Sequence, residues 1–224
     1  MKNLTDGVRS AKNTGFIAER EEILALLNDE GKRYVELASE KGSSSWLSVV
    51  PTKQSGFLLN KQEFRDAICL RYGFPIRHTP TYCACGVMND LNHTLNCKKG
   101  GYVSMRHNAL RDTEAYLLKE CCRDVKVEPV LLPARTVEAQ DSSEQRLQLD
   151  VSAVGVWSPF ERTFFDIRVT HPLSPSYAGT STKSLFRQHE KEKKRKYQER
   201  VLNVERGSFT PIVFMTTGRV WWRS

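Results

Sequence analysis

The sequence predicts an α+β fold in which helices pack on a mixed sheet, and three observations carry that prediction. Past residue 100 the chain reads helix, strand, strand, strand, helix, strand, an order that segregates the two kinds of element. Two neighbouring segments, 146–156 and 162–169, alternate apolar and polar residues around "WSPFE", as an antiparallel hairpin does. A basic helix over 184–204 and the apolar run "TPIVFMTT" then supply a covering helix and a buried strand.

Each element has its own signal. Residues 1–15 are a loose polar end. Residues 17–40 read as two short helices broken at Gly31, with Ile17, Ile23, Leu24 and Leu27 apolar before it and Tyr34, Val35, Leu37 and Ala38 after it. "KGSSS" is a loop. "NKQEFRDAICLRYG" is a helix with Asn60 as N-cap, Glu63 completing a capping box and Gly73 as its stop. Phe64, Ala67, Ile68 and Tyr72 form its expected buried stripe. "FPIRHTPTY", with Pro75 and Pro80, reads as a linker. Residues 103–121 form an amphipathic helix, 125–131 a strand and 134–145 a polar loop. The expected divisions are a helical appendage and linker over 1–79, a small Cys/His unit over 80–101, and the α+β domain over 102–218.

Composition excludes several classes. With 39% hydrophobic and 27% charged residues, the 224-residue chain has ordinary globular usage and enough apolar side chains for a core. No apolar run approaches the length that spans a bilayer, and the start "MKNLTDGVRSAKN" has no apolar signal region, so the expectation is a nuclear or cytoplasmic protein, not secreted and without a membrane partner. Six cysteines in that context argue against a disulfide framework; Cys69, Cys121 and Cys122 fall on helical patterns and are expected as core thiols. The net charge of +8 is concentrated. Lys183 to Arg206 holds nine Lys/Arg against four Glu, and Lys98 to Arg111 holds four basic residues and no acid. One such run is commonly a solvated helix face; two that could meet in space favour a polyanion such as nucleic acid.

"CACGVMNDLNHTLNC" places Cys83, Cys85, His93 and Cys97 as C-x-C-x7-H-x3-C. Two close pairs of soft ligands, the second at helical spacing, suit a tetrahedral structural zinc, and Gly86 lets the chain turn after the first pair. The competing reading is three free thiols and a loop histidine.

Along "RLQLDVSAV" the pleat puts Leu147, Leu149 and Val151 on one face and Gln148, Asp150 and Ser152 on the other. Along "FFDIRV", Phe165, Ile167 and Val169 oppose Phe164, Asp166 and Arg168. A hairpin holds Asp150 and Asp166 side by side, and two converging carboxylates point to a divalent cation, Mg²⁺ or Mn²⁺ where the partner is a phosphate. Two solvent-facing aspartates are the alternative. In the basic helix, Phe186, Lys193, Tyr197, Val201 and Val204 share one face, so Lys193 interrupts an apolar stripe with Lys196 one turn on. A lysine there needs anionic partners unless it snorkels to the surface. In the preceding helix, Glu114 shares a face with His107 and Leu110 and is a third candidate acid, a local ion pair with Arg111 being the alternative. Arg106, His107 and Asn108 lie in the first turn, where amide groups and an arginine favour phosphate.

This succession, a Cys/His knuckle, "RHN", two Asp-bearing strands and a lysine helix, resembles the C-terminal part of non-LTR retrotransposon proteins. There a zinc knuckle precedes a restriction-like endonuclease of the PD-(D/E)xK type that nicks target DNA for reverse transcription. "ELASEKGSSSWL", "NKQEFRDAICLRYGFP" and "KYQERVLNVERGSFTPIVFMTTG" also resemble segments near the C-termini of reverse-transcriptase-bearing transposon proteins. The resemblance spans about residues 35–218. It implies a restriction-endonuclease-like mixed sheet, a structural zinc on Cys83, Cys85, His93 and Cys97, and Asp150 and Asp166 as acids holding Mg²⁺ or Mn²⁺. Lys193 or Lys196 would serve as the catalytic lysine, while Arg106, His107, Asn108 and Arg111 would grip the nucleic-acid backbone. The departures are Leu149 where proline is frequent, Arg168 at the usual lysine position, and C-x-C where C-x-x-C is usual. No adjacent Asp-Asp pair is present, so the polymerase palm would lie outside this chain, and "GRVWWRS" fits no part of the pattern. The implied partners are DNA, RNA or an RNA–DNA hybrid and a separate reverse-transcriptase region, with no small-molecule substrate. The implied activity is metal-dependent nicking; a non-catalytic binding module and a decayed reading frame stand as alternatives.

Overall fold

The computed structural model describes residues 15–53, 56, 58–133 and 147–222. The polar end before residue 15, the loop expected over 134–145 and the last two residues lie outside them. The chain divides into two compact units, Met1–Arg77 and His78–Ser224.

In the first unit, α1 covers 15–26 and α2 runs Asp29–Ser39. The break falls before Gly31, because the Asn28 side chain, three residues ahead of the glycine, accepts the Gly31 amide and caps α2. A 3₁₀ turn at Ser45–Ser48 leads to α3, Lys61–Tyr72. The capping box of Asn60 and Glu63 forms there, and Gly73 ends the helix in the left-handed region at φ 72°. The expected stripe is corrected: Phe64 is exposed, and the residue that α3 buries is Arg71. Its guanidinium satisfies the Ala38 and Ser43 carbonyls and the Ser44 hydroxyl, groups a phenyl ring could not serve.

The second unit is α+β. Its order is α4 (Leu91–Asn96), α5 (Tyr102–Cys121), β1 (Arg123–Val127), β2 (Val151–Val154), β3 (Arg162–Thr170), α6 (Thr182–Arg200), β4 (Ser208–Met215) and β5 (Val220–Trp222). The five strands form one mixed sheet in the order β1-β2-β3-β4-β5. Only β3 and β4 are parallel, and α6 lies in the connection between them, as a parallel pair requires. Helices cover both faces. Ala115 and Leu118 of α5 pack with Val151, Ala153, Phe165, Ile167 and Ile212 on one. On the other, Tyr197 and Val201 meet Leu131, Leu149, Phe164 and Phe209, while Leu185 and Phe186 meet Val213 and Met215. Two-sided cover explains why β4 carries a nearly unbroken apolar run. No helix among the described residues is long and apolar enough to cross a membrane.

Three expectations are corrected here. Leu149 and Val151 sit in opposite layers, not on one face, because the chain bends at Asp150 and resets the alternation. The terminal "GRVWWRS", which fits no part of the family pattern, belongs to the sheet: it contributes β5, whose Trp221 stacks on Phe186 at 5.5 Å and donates to Glu190. Cys121 is exposed and Cys69 only half-buried, so neither is a core thiol, whereas Cys122, also half-buried, packs against the α5 layer of the core. At the start of β4 a Cβ on Gly207 would come 2.3 Å from the Arg162 carbonyl oxygen. Gly207→Ala is therefore expected to cost about 1–3 kcal/mol through overpacking, lowering the melting temperature by about 2–4 °C per kcal/mol. An unchanged melt followed by circular dichroism would contradict the close approach.

Candidate metal centre and active site

Two local structures build the cysteine–histidine cluster. Residues 82–88 form a small hairpin in which the Cys83 amide donates to Val87 O and the Gly86 amide to Cys83 O, with Gly86 at φ 85°. In α4, Asp90 caps the His93 amide at 2.6 Å, and the Cys97 amide donates to His93 O, which aligns the second pair one turn apart. The ligand atoms of Cys83, Cys85, His93 and Cys97 lie within 4.8 Å of one another. Cys83 Sγ is 3.6 Å from Cys97 Sγ, and Cys85 Sγ is 3.2 Å from His93 Nε2. Zinc–ligand bonds of about 2.0–2.3 Å set tetrahedral edges of roughly 3.3–3.8 Å, so the cluster could hold a metal such as zinc. The short C-x-C spacing works because its two sulfurs pair with different ligands of α4. Amides of Gly100 and Lys99 pull the Cys97 thiol down to about 7, toward the thiolate that metals bind.

His171, just past β3, ties this knuckle to the sheet. It is 3% exposed, with Nε2 2.8 Å from Asn92 Oδ1 in α4 and Nδ1 2.7 Å from Thr216 Oγ1. Burial, with Arg106 nearby, pushes its pKa down to about 4, so the ring is neutral, donating through Nε2 and accepting at Nδ1. Sequence reasoning missed His171; its only trace was a histidine closing an apolar strand. Arg106 packs at the same seam, reaching Leu95 O at 3.4 Å and lying over the Tyr102 ring.

The acidic cluster forms where β2 parts from β3. Their pairing stops at Val151↔Phe165, and the Asp150 amide donates to Phe165 O. Beyond that point the Asp150 carboxylate replaces the missing strand: Oδ2 accepts the Ile167 amide at 2.6 Å. His107 of α5 reaches the same place, with Nε2 3.4 Å from Asp150 Oδ2 and 3.3 Å from Ile167 O. The Asp150 hydrogen bond holds the His107 pKa above its ordinary value. Asp166, 5% exposed on the α6 side of β3, forms an ion pair with Lys193. Burial raises the Asp166 pKa against the pull of Lys193, and the Asp150 charge adds to the rise. Asp150, Asp166, Lys193 and His107 are thus brought together, two from the sheet and one from each covering helix.

Other candidates are placed differently. Lys196 is exposed, its Nζ 4.8 Å from the centre of the Tyr197 ring. Arg111 is held by Asp112 at 2.9 Å and by Glu128, so it is not a free phosphate ligand. Glu114 is half-buried and its carboxyl is raised by burial, but its charge does not go to Arg111. Arg168 points toward Glu192 at 4.0 Å, and Asn108 is exposed. The signal for His107 was present, since it shared a helix face with Leu110, but it pointed to phosphate and not to Asp150. No family model and no curated protein matches the chain.

Two predictions follow from the knuckle and its seam. Purified protein is expected to carry close to one zinc per chain, and Cys97→Ser to lose it with local order; metal analysis finding none in folded protein would remove the site. Because His171 is depressed from 6.5 to about 4 in the fold, its contribution is fully present above pH 6.5 and is lost as pH falls through 4. The loss amounts to about 3 kcal/mol. Urea unfolding between pH 7 and 4 should be steeper in pH for wild type than for His171→Gln; parallel curves would refute the assignment.

Proposed function

We propose that the second unit is a metal-dependent nucleic-acid endonuclease of the restriction-endonuclease-like type, the target-nicking module of a retroelement protein whose reverse-transcriptase region lies elsewhere. The observation that carries this reading is the meeting of Asp150, Asp166 and Lys193 at the fork between β2 and β3. The Asp150 and Asp166 carboxylates, with the Ile167 carbonyl beside them, are the hard oxygen donors that suit Mg²⁺ or Mn²⁺. The mutual repulsion of the two acids is what a divalent cation would relieve. Such an ion supplies Lewis acidity at a phosphoryl oxygen and a lowered pKa for a coordinated water.

The chain's own residues do the rest. Asp150 is fixed by the Ile167 amide, so its carboxylate keeps one orientation without a ligand. Lys193 projects from α6 with its ammonium at Asp166, in place to stabilise negative charge that develops on the scissile phosphate. His107 orients Asp150 from the opposite face. The remaining basic residues of α6 contact the backbone without reading sequence.

A second reading has one observation in its favour: the Asp166–Lys193 pair already satisfies both charges, which suits a module that binds without cutting. Substitution separates the two. Asp150→Asn and Asp166→Asn are expected to abolish Mg²⁺-dependent nicking while leaving DNA binding at moderate salt nearly unchanged, since they remove only negative charge. Lys193→Met should lose roughly 100- to 1,000-fold in rate, and Lys196→Met much less. Wild-type protein that binds DNA but never nicks it with Mg²⁺ or Mn²⁺ would leave the binding module standing.

A further inference from the structure

From the acidic cluster a groove of about 750 Å³ runs along the open edge of β3 to the knuckle. Its walls include Lys98, Arg106, Asn108, Arg168, Tyr177 and Lys193, and no carboxylate lines it among the described residues. That bias lies beside two aspartates, so it belongs to the groove and not to the general charge of the chain. Arg106 reinforces it: Nε and Nη1 are buried without hydrogen-bond partners, and among the described residues no acid pairs with the guanidinium, so its charge adds to the potential of the groove. The backbone adds donors. Ile167 turns its amide and carbonyl away from β4, whereas Thr170 O accepts from Thr216 on the β4 side. By the same alternation Val169 presents its amide and carbonyl to the open edge, where no strand lies among the described residues. Tyr177 supplies a half-buried ring at the far wall.

A volume of this size suits roughly one or two nucleotides of a single strand better than a base-paired duplex. We infer that the groove receives an unpaired strand next to the scissile phosphate, so that the preferred substrate is nucleic acid opened on one side of the cut. This rests on the nucleic-acid reading above and adds the state of the strand. Lys98, Arg168 and the Val169 amide take phosphates, Asn108 offers a base-edge partner, and Tyr177 offers a stacking surface.

The test uses the full chain and DNA oligonucleotides of one sequence, fully paired or forked with one unpaired arm. Binding is measured by fluorescence anisotropy without added divalent cation. The forked DNA is expected to bind about tenfold more tightly, the worth of one stacked base. Tyr177→Ala and Lys98→Ala, each checked for retained zinc and melting temperature, should bring that ratio toward one while changing duplex affinity little. Equal or tighter binding of the paired DNA, or a preference that survives both variants, would overturn the inference. Cleavage of the same DNAs with Mg²⁺ is scored separately. A fork preference without any cutting would sink the nuclease and keep the groove; cutting without a fork preference would do the reverse.

Discussion

Asp166 is a carboxylate near the middle of the central strand of the sheet, 5% exposed, and its pairing with Lys193 is the constraint on which the site's arrangement turns. An ionised carboxylate at that depth is tolerable only with a partner, and removing one member of a buried pair typically costs about 3–5 kcal/mol. Lys193 can serve only if α6 is held in position and in phase. The helix is pinned on both sides of it, by Leu185 and Phe186 toward Val213 and Met215, and by Tyr197 and Val201 toward Phe164 and Phe209. Those two clusters act as rails. The terminal strand belongs to the same device, because Trp221 packs on Phe186 and bonds Glu190 of α6. The segment that fits no part of the family pattern therefore helps set where an ammonium points.

The second acid owes its place to a strand that ends early. Were β2 regular, its backbone would continue beside Ile167 and the Asp150 side chain would point away from the ladder. Instead the side chain takes the amide that a neighbouring strand would have taken, and the backbone bends away. One hydrogen bond thus repairs the lost ladder contact, fixes the carboxylate and opens the rest of the β3 edge. An open edge invites pairing with other chains, and here α5 and the knuckle stand over it. The groove is the space they leave.

Much of this was legible in the sequence. The mixed sheet with its covering helices, the capping box at Asn60 and the Cys/His spacing all follow from local pattern, which a reader without coordinates can count. So does the face of α6 that carries Lys193 between Phe186 and Tyr197. What was hidden depends on contacts distant in sequence. Nothing near Asp150 says that its carboxylate will bond a strand amide seventeen residues on. Nothing near Arg111 says that Glu128 will claim it, or near Gly31 that Asn28 will cap the helix first. Arg71 reads as a surface residue because its acceptors, Ser43 and Ala38, are chain carbonyls without a sequence signature.

Arg106 and His107 show how knuckle and acidic cluster come to share a fate. Successive helix residues point about 100° apart, so one turn of α5 serves two neighbours. Arg106 goes to the Leu95 carbonyl beneath the knuckle, and His107 goes to Asp150. The knuckle is fixed a second time by His171, which stands directly after β3 and bonds Asn92, the residue before the ligand His93. Both ties end on elements that also carry the acidic cluster, namely α5 and β3. A change in the knuckle's packing therefore reaches Asp150 through the first turns of α5, and reaches the open edge of β3 through His171. The Cys/His cluster and the charge at the aspartates are linked through α5 and β3. On this geometry the knuckle is a wall of the groove and a brace for the acids.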